Sequence, residues 1–99
     1  MDNERTKALY EAFPVLYRGW KEPRHSSRFA ASGIECQAGW DDLIWQLSRD
    51  LTQMATDEGR SEADWPKVKQ VKEKFGGLRF YASPLSEAMQ HRVADAEEA

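Results

Sequence analysis

Val71-Lys72-Glu73-Lys74-Phe75-Gly76-Gly77-Leu78-Arg79-Phe80-Tyr81 decides the fold. It packs three cations, three aromatic side chains and a Gly-Gly pair into eleven residues. A Gly-Gly pair suits a two-residue hairpin turn, because both central residues of such a turn take positive φ. Two strands, Gln70 to Phe75 and Leu78 to Ser83, then pair so that Phe75 faces Leu78, Lys74 faces Arg79 and Glu73 faces Phe80. The same segment also admits a helix carrying Trp65, Val68, Val71 and Phe75, capped by Asp64 and stopped by Gly76. The hairpin is preferred, since a helix would leave the strand after it without a sequence neighbour to pair with. In the hairpin register one face carries Val71, Glu73, Phe75, Leu78 and Phe80, with Glu73 the misfit at its margin. The opposite face carries Lys72, Lys74, Arg79 and Tyr81.

Helical patterns flank this hairpin. On the N-terminal side, Trp40, Leu43, Ile44, Leu47, Leu51, Met54 and Ala55 recur at helical spacing over residues 40–57, a single apolar stripe. Asp41 and Asp42 stand in its first turn, where negative charge suits the helix dipole, and Gly59 is its stop. Trp45 falls about 140° away from Trp40 at about 100° per residue, off the stripe. It is either covered, by Trp20 or Phe29, or left to anchor a partner, as tryptophan often does at binding hot spots. Residues 3–13 form a first helix, capped by Asn3, carrying Leu9, Tyr10 and Phe13, and ended by Pro14. Between Pro14 and Gly39 no period holds. Val15, Leu16, Tyr17 and Trp20 cluster, Lys21 to Arg28 read as a solvated loop, and Phe29-Ala30-Ala31 and Ile34-Glu35-Cys36 are short candidate strands. Beyond the hairpin, Leu85, Met89, Val93 and Ala96 mark a last helix over 85–97, with Ser83 as cap and Pro84 at its first position. These elements predict a single α+β domain over residues 1–99, three helices on a small antiparallel sheet whose clearest part is the hairpin at 70–82.

The formal net charge of −3 hides a segregation. Residues 17–30 carry Arg18, Lys21, Arg24 and Arg28 against Glu22, a sum of +3; residues 31–66 carry eight acids against Arg49 and Arg60, a sum of −6. Residues 67–82 carry five cations against Glu73, a sum of +4, and residues 83–99 sum to −3. The blocks either pair with one another in the fold or leave a bipolar surface for a charged partner. No apolar run approaches a membrane span, the polar start Met1-Asp2-Asn3-Glu4 is unlike a signal peptide, and a lone Cys36 forms no internal disulfide. The expected setting is a reducing cytoplasm.

Reactive constellations are sparse. Cys36, His25 and His91 have no spacing that unites nucleophile and base, and a zinc site needs about four ligands. Asp41-Asp42 and Glu97-Glu98 are adjacent on helices and point apart. Gly76-Gly77 lacks the Lys-Ser/Thr of a phosphate loop. No cofactor, metal or catalytic residue is expected, and the chain reads as a non-enzyme. The cationic hairpin face, with Lys72, Lys74, Arg79 and Tyr81, has the composition to hold phosphates and stack a base.

Pro14-x-Leu16-Tyr17-Arg18, Gly33-Ile34-Glu35-Cys36-x-x-Gly39-Trp40 and Gln70-Val71-Lys72-Glu73-Lys74-Phe75-Gly76-Gly77-Leu78-Arg79-Phe80-Tyr81 together resemble a family of small phage and prophage proteins. Where that family usually shows Cys-Gly-Asp-Gly-Trp, this chain has Cys36-Gln37-Ala38-Gly39-Trp40, without the acidic residue. Some relatives carry extra cysteines towards the C-terminus, and this chain does not. The resemblance implies a protein that works in the host cytoplasm by binding and blocking a host protein or complex, as anti-CRISPR and other counter-defence proteins do. Asp41, Asp42 and Trp45 are then the expected contacts, the acids of residues 41–64 meeting a nucleic-acid-binding groove. A nucleic-acid module built on the hairpin, and a nucleotide- or small-molecule-sequestering protein with a pocket at a dimer interface, are the alternatives.

Overall fold

A computed structural model of the chain describes residues 3–23, 33–35 and 38–98. Its order is α1 (Asn3–Ala12), a 3-10 turn (Arg18–Lys21), β1 (Ile34–Glu35), α2 (Asp41–Asp57), β2 (Lys67–Lys74), β3 (Gly77–Ser83) and α3 (Glu87–Glu98). The fold is α+β, as the sequence predicts. The expected strand at Phe29-Ala30-Ala31, most of the loop at 21–28, His25 and Cys36 lie outside the described residues.

The sheet has the order β1-β2-β3. The hairpin, not the helix, forms from residues 67 to 83, and β1 adds to β2 in parallel, Ile34 beside Val71. The hairpin register differs from the sequence expectation. Lys74 pairs with Gly77, Glu73 with Leu78, Lys72 with Arg79, Val71 with Phe80 and Gln70 with Tyr81. The turn is therefore Phe75-Gly76, whose φ values of 53° and 77° are both positive, the requirement of a type I′ turn. Gly77 instead begins β3, and its missing Cβ leaves room for the Arg79 guanidinium, which would stand 3.3 Å from it. The two registers differ by two residues, so each side chain keeps its face. The observed one sets β-branched Val71 directly against aromatic Phe80, a favourable cross-strand pair, and moves Glu73 to the open end beside the turn. Phe75, expected in the core, projects from the tip and is 95% exposed.

A bulge between Val68 and Gln70 inserts one residue into β2. It allows Val68 and Val71, three apart, to face inward together with Leu78 and Phe80. That inner face shares one buried core with Leu9 and Tyr10 of α1, Phe13 just after it, Ile44, Leu47, Leu51 and Ala55 of α2, and Met89, Val93 and Ala96 of α3. The helical stripes read from the sequence are thus the core. Tyr17 and Ser48 are buried polar groups that satisfy each other. Ser48 Oγ donates to the Ile44 carbonyl at 2.8 Å, so the Tyr17 hydroxyl donates to Ser48 Oγ at 2.6 Å, since a serine hydroxyl has one proton to give.

The ends of the helices explain their lengths. α2 closes with Gly59 at φ 68°, with Gly59 N–H to the Thr56 carbonyl at 3.0 Å and Arg60 N–H to the Ala55 carbonyl at 3.1 Å, the paired bonds of a Schellman motif. α1 begins at Asn3 itself and stops at Ala12, two residues before Pro14. α3 starts later than expected. Its cap is Ser86, whose Oγ accepts the Met89 N–H at 3.3 Å, and not Ser83, which ends β3. Ser86 Oγ also donates to Glu58 Oε2 at 2.8 Å. Arg60 completes this corner, holding Glu58 Oε1 at 2.8 Å, the Asp64 carbonyl at 3.0 Å and the Pro84 carbonyl at 2.9 Å. The Ser86 hydroxyl first, and then Arg60, hold the Glu58 carboxyl below its usual range.

Candidate functional site

Two places carry the residues that the sequence singles out. The first is the seam between α1 and α2. Asp41 and Asp42 begin α2, and Trp45 follows one turn later on the side that meets α1. A cleft of about 180 Å³ lies there, lined by Arg5, Ala8, Asp41, Asp42 and Trp45. Asp41 is only 8% exposed, and its Oδ2 accepts from Arg5 Nη1 at 2.8 Å. Its Oδ1 is buried without a hydrogen-bond partner among the described residues. Trp45 meets Phe13 edge-on, the ring centroids 5.2 Å apart and the planes at 68°. Its cover therefore comes from α1. Trp20, one of the two covers expected from the sequence, stacks instead on Tyr10 at 5.3 Å, and Phe29, the other, lies outside the described residues. Trp45 still keeps 37% of its surface exposed. The cleft is smaller than the roughly 300–1,000 Å³ of ordinary small-molecule sites.

The second place is the outer face of the hairpin. Alternation along β3 turns Arg79 and Tyr81 away from the core as it turns Leu78 and Phe80 into it. On β2 the same parity turns Lys72 and Lys74 outward. From base to tip the face reads Gln70 beside Tyr81, Lys72 beside Arg79, Lys74 beside Gly77, then the Phe75-Gly76 turn. Tyr81 is 44% exposed. The ammonium of Lys74 lies 5.7 Å from the Phe75 ring centroid, and Arg79 Nη1 donates to the Leu78 carbonyl at 3.0 Å. Among the described residues, no carboxylate forms a salt bridge with Lys69, Lys72, Lys74 or Arg79. Lys72 and Arg79 stand directly opposite one another, and like charges so placed oppose strand pairing.

Elsewhere the charge blocks do pair. Arg92 Nε holds Asp50 Oδ2 at 2.8 Å between α3 and α2, and Lys67 at the base of β2 pairs with Glu22. That lysine, first by its hydrogen bond and then by its charge, holds the Glu22 carboxyl below its usual range. Arg18 is fixed by carbonyls. Its guanidinium donates to Val15 at 2.7 Å, Trp65 at 2.9 Å and Pro66 at 3.2 Å, and so ties the segment after α1 to the entry of β2. The Val68 N–H bond to the Leu16 carbonyl, at 2.9 Å, fastens the same join. The far edge of the sheet is also closed in part: the Phe80 N–H donates to Glu97 Oε2 at 2.9 Å.

The structure thus gathers Lys72, Lys74, Arg79 and Tyr81 on one surface and adds Phe75, which sequence reasoning assigned to the core. The signal that marks Phe75 is Glu73. A glutamate opposite Phe80 on an inner face is a misfit; the two-residue slip leaves it on that face but moves it opposite Leu78, next to the tip where it is exposed, and makes Phe75-Gly76 the turn. Asp41 and Trp45 are brought together as well, but against Arg5 and Phe13. His91 lies on α3, 3.7 Å from Glu87. Among the described residues, no group of three or more His, Cys, Asp or Glu could hold a metal ion, and no helix is long and apolar enough to cross a membrane. Comparison of the chain with family models, with curated proteins and with solved structures finds no match.

Proposed function

We propose that this is a small non-enzymatic binding protein, of the phage and prophage kind its motifs resemble, and that its working surface is the outer face of the hairpin. The partner chemistry that suits this surface is a nucleic acid. The supporting observation is the opposed Lys72 and Arg79, which have no carboxylate partner among the described residues and lie between two exposed rings. A phosphate backbone placed over them relieves their mutual repulsion and releases counterions. The acids of α2 lie on another element, and of the acids near the hairpin Glu73 is on the inner-face parity opposite Leu78 while Glu97 is engaged by the Phe80 N–H. The direct test is binding of short oligonucleotides at low salt. Affinity should fall steeply as salt is raised, and Lys72→Ala should flatten that dependence by about 0.7 in log–log slope on a single strand. No measurable binding at low salt would end the proposal.

A second reading is that the chain inhibits a host protein, such as a defence complex, by occlusion. Its support is the remaining exposure of Trp45 beside Asp42 at the α1–α2 cleft. A stoichiometric partner captured from host lysate should then be lost with Trp45→Ala and kept with Lys72→Ala. The opposite pattern removes this reading.

A further inference from the structure

Phe75 is the least expected residue on the surface. It is a bulky aromatic at 95% exposure in a left-handed conformation, φ 53°. Both features are unfavourable for folding alone: β-carbon sterics disfavour positive φ outside glycine, asparagine and aspartate, and an exposed ring gains nothing from burial. A turn at this position needs only Asn-Gly. The ring is held at the far end of a row that starts with Tyr81, four residues of β3 from Gly77, which is about 13 Å at the strand rise. Lys72, Arg79 and Lys74 fill the interval. The order along the hairpin is therefore ring, opposed cations, cation, ring.

Resting on the nucleic-acid reading above, we infer that the hairpin is a single-strand site, in which Phe75 and Tyr81 stack unpaired bases while Lys72, Arg79 and Lys74 hold the phosphates between them. A duplex suits this row poorly, because its bases are already stacked on one another and offer no free face to a ring at a hairpin tip. An acidic polypeptide satisfies the cations but gives the rings nothing planar to stack on. Phe75, with no polar atom of its own, takes any base and carries no hydrogen-bond readout, so the site is expected to be tolerant of sequence.

The test is Phe75→Asn, read in two ways. Fluorescence anisotropy at low salt measures affinity for an oligothymidine, for a duplex of the same length and for polyglutamate; thermal melting measures stability. The substitution creates an Asn-Gly turn, so the melting temperature should hold or rise. Affinity for oligothymidine should fall by about tenfold or more, and the wild type should prefer oligothymidine to both other probes. Tyr81→Ala should weaken oligothymidine binding in the same way without changing the turn. If duplex and single strand bind equally and Phe75→Asn changes neither, the nucleic-acid reading stands and the single-strand inference falls. If polyglutamate binds as well as oligothymidine, or if no probe binds, both fall.

Discussion

The α1–α2 seam and the outer face of the hairpin use the same ingredients, an aromatic ring beside charged groups, to different ends. At the seam Trp45 rests edge-on against Phe13, and Asp41 is buried against Arg5. On the hairpin Phe75 projects into solvent, and Lys72 faces Arg79 with no carboxylate between them among the described residues. The seam uses the Asp41–Arg5 pair and most of the Trp45 ring to fix one helix on another, leaving Asp42 exposed. The hairpin leaves its charges and ring available and lowers its own stability by doing so. The sequence places Trp45, Asp41 and Asp42 beside the hairpin residues as candidates; the partners that Asp41, Trp45 and the hairpin side chains find separate the two groups.

That contrast can be broken first on β3 itself, where neighbouring residues face opposite ways. Phe80→Ala should cost about 3–5 kcal/mol by emptying the core beneath β3. Tyr81→Ala, one residue on, should cost under about 1 kcal/mol. Urea unfolding reads both, and equal losses would mean that the outer face is packed rather than open. At the seam, Trp45→Ala should lower stability by about 1–2 kcal/mol through the lost Phe13 contact while leaving oligonucleotide affinity unchanged.

The pH dependence of stability follows the buried and bridged groups, none of which is on the outer face. Glu22 and Glu58 have lowered carboxyl pKa values, from Lys67 and Ser86 respectively. What they contribute is present above the ordinary carboxylate range and is lost as pH falls through their lowered values. Burial, opposed by a backbone hydrogen bond from Ile34, pushes the Tyr10 hydroxyl from 10.0 to about 12. Its contribution is complete below pH 10 and is lost as pH rises towards 12. Melting curves across both ranges should show these two losses, the alkaline one accompanied by tyrosinate absorbance and reduced by Tyr10→Phe.

Much of the fold was legible because helical spacing and burial coincide. The stripe from Ile44 to Ala55 and the row Met89, Val93, Ala96 are buried as their periods require. The hairpin was legible in kind and in its two faces, since a register slip of two residues preserves side-chain parity. Its turn was not, because Phe75-Gly76 and Gly76-Gly77 both offer a glycine, and only the cross-strand partners of Val71 and Glu73 choose between them. The start of α3 was misplaced because Ser83 and Ser86 are equal as caps in sequence, and the length of β3 decides which is free. The role of Arg18, which ties the nearby Val15 carbonyl to the distant ones of Trp65 and Pro66, has no local signature at all.

The most direct measurement is Arg79→Glu, followed for stability and for single-strand affinity in the same buffer. The substitution replaces a like-charged pair with a carboxylate opposite Lys72. Stability should therefore rise by about 0.2–1 kcal/mol, while oligothymidine affinity falls sharply and its salt dependence shrinks. A face that improves the fold when altered, and loses binding at the same time, is one set aside for a partner. A variant that is destabilised and binds as before would contradict the account, returning Arg79 to the structure and the working surface to the Trp45 seam.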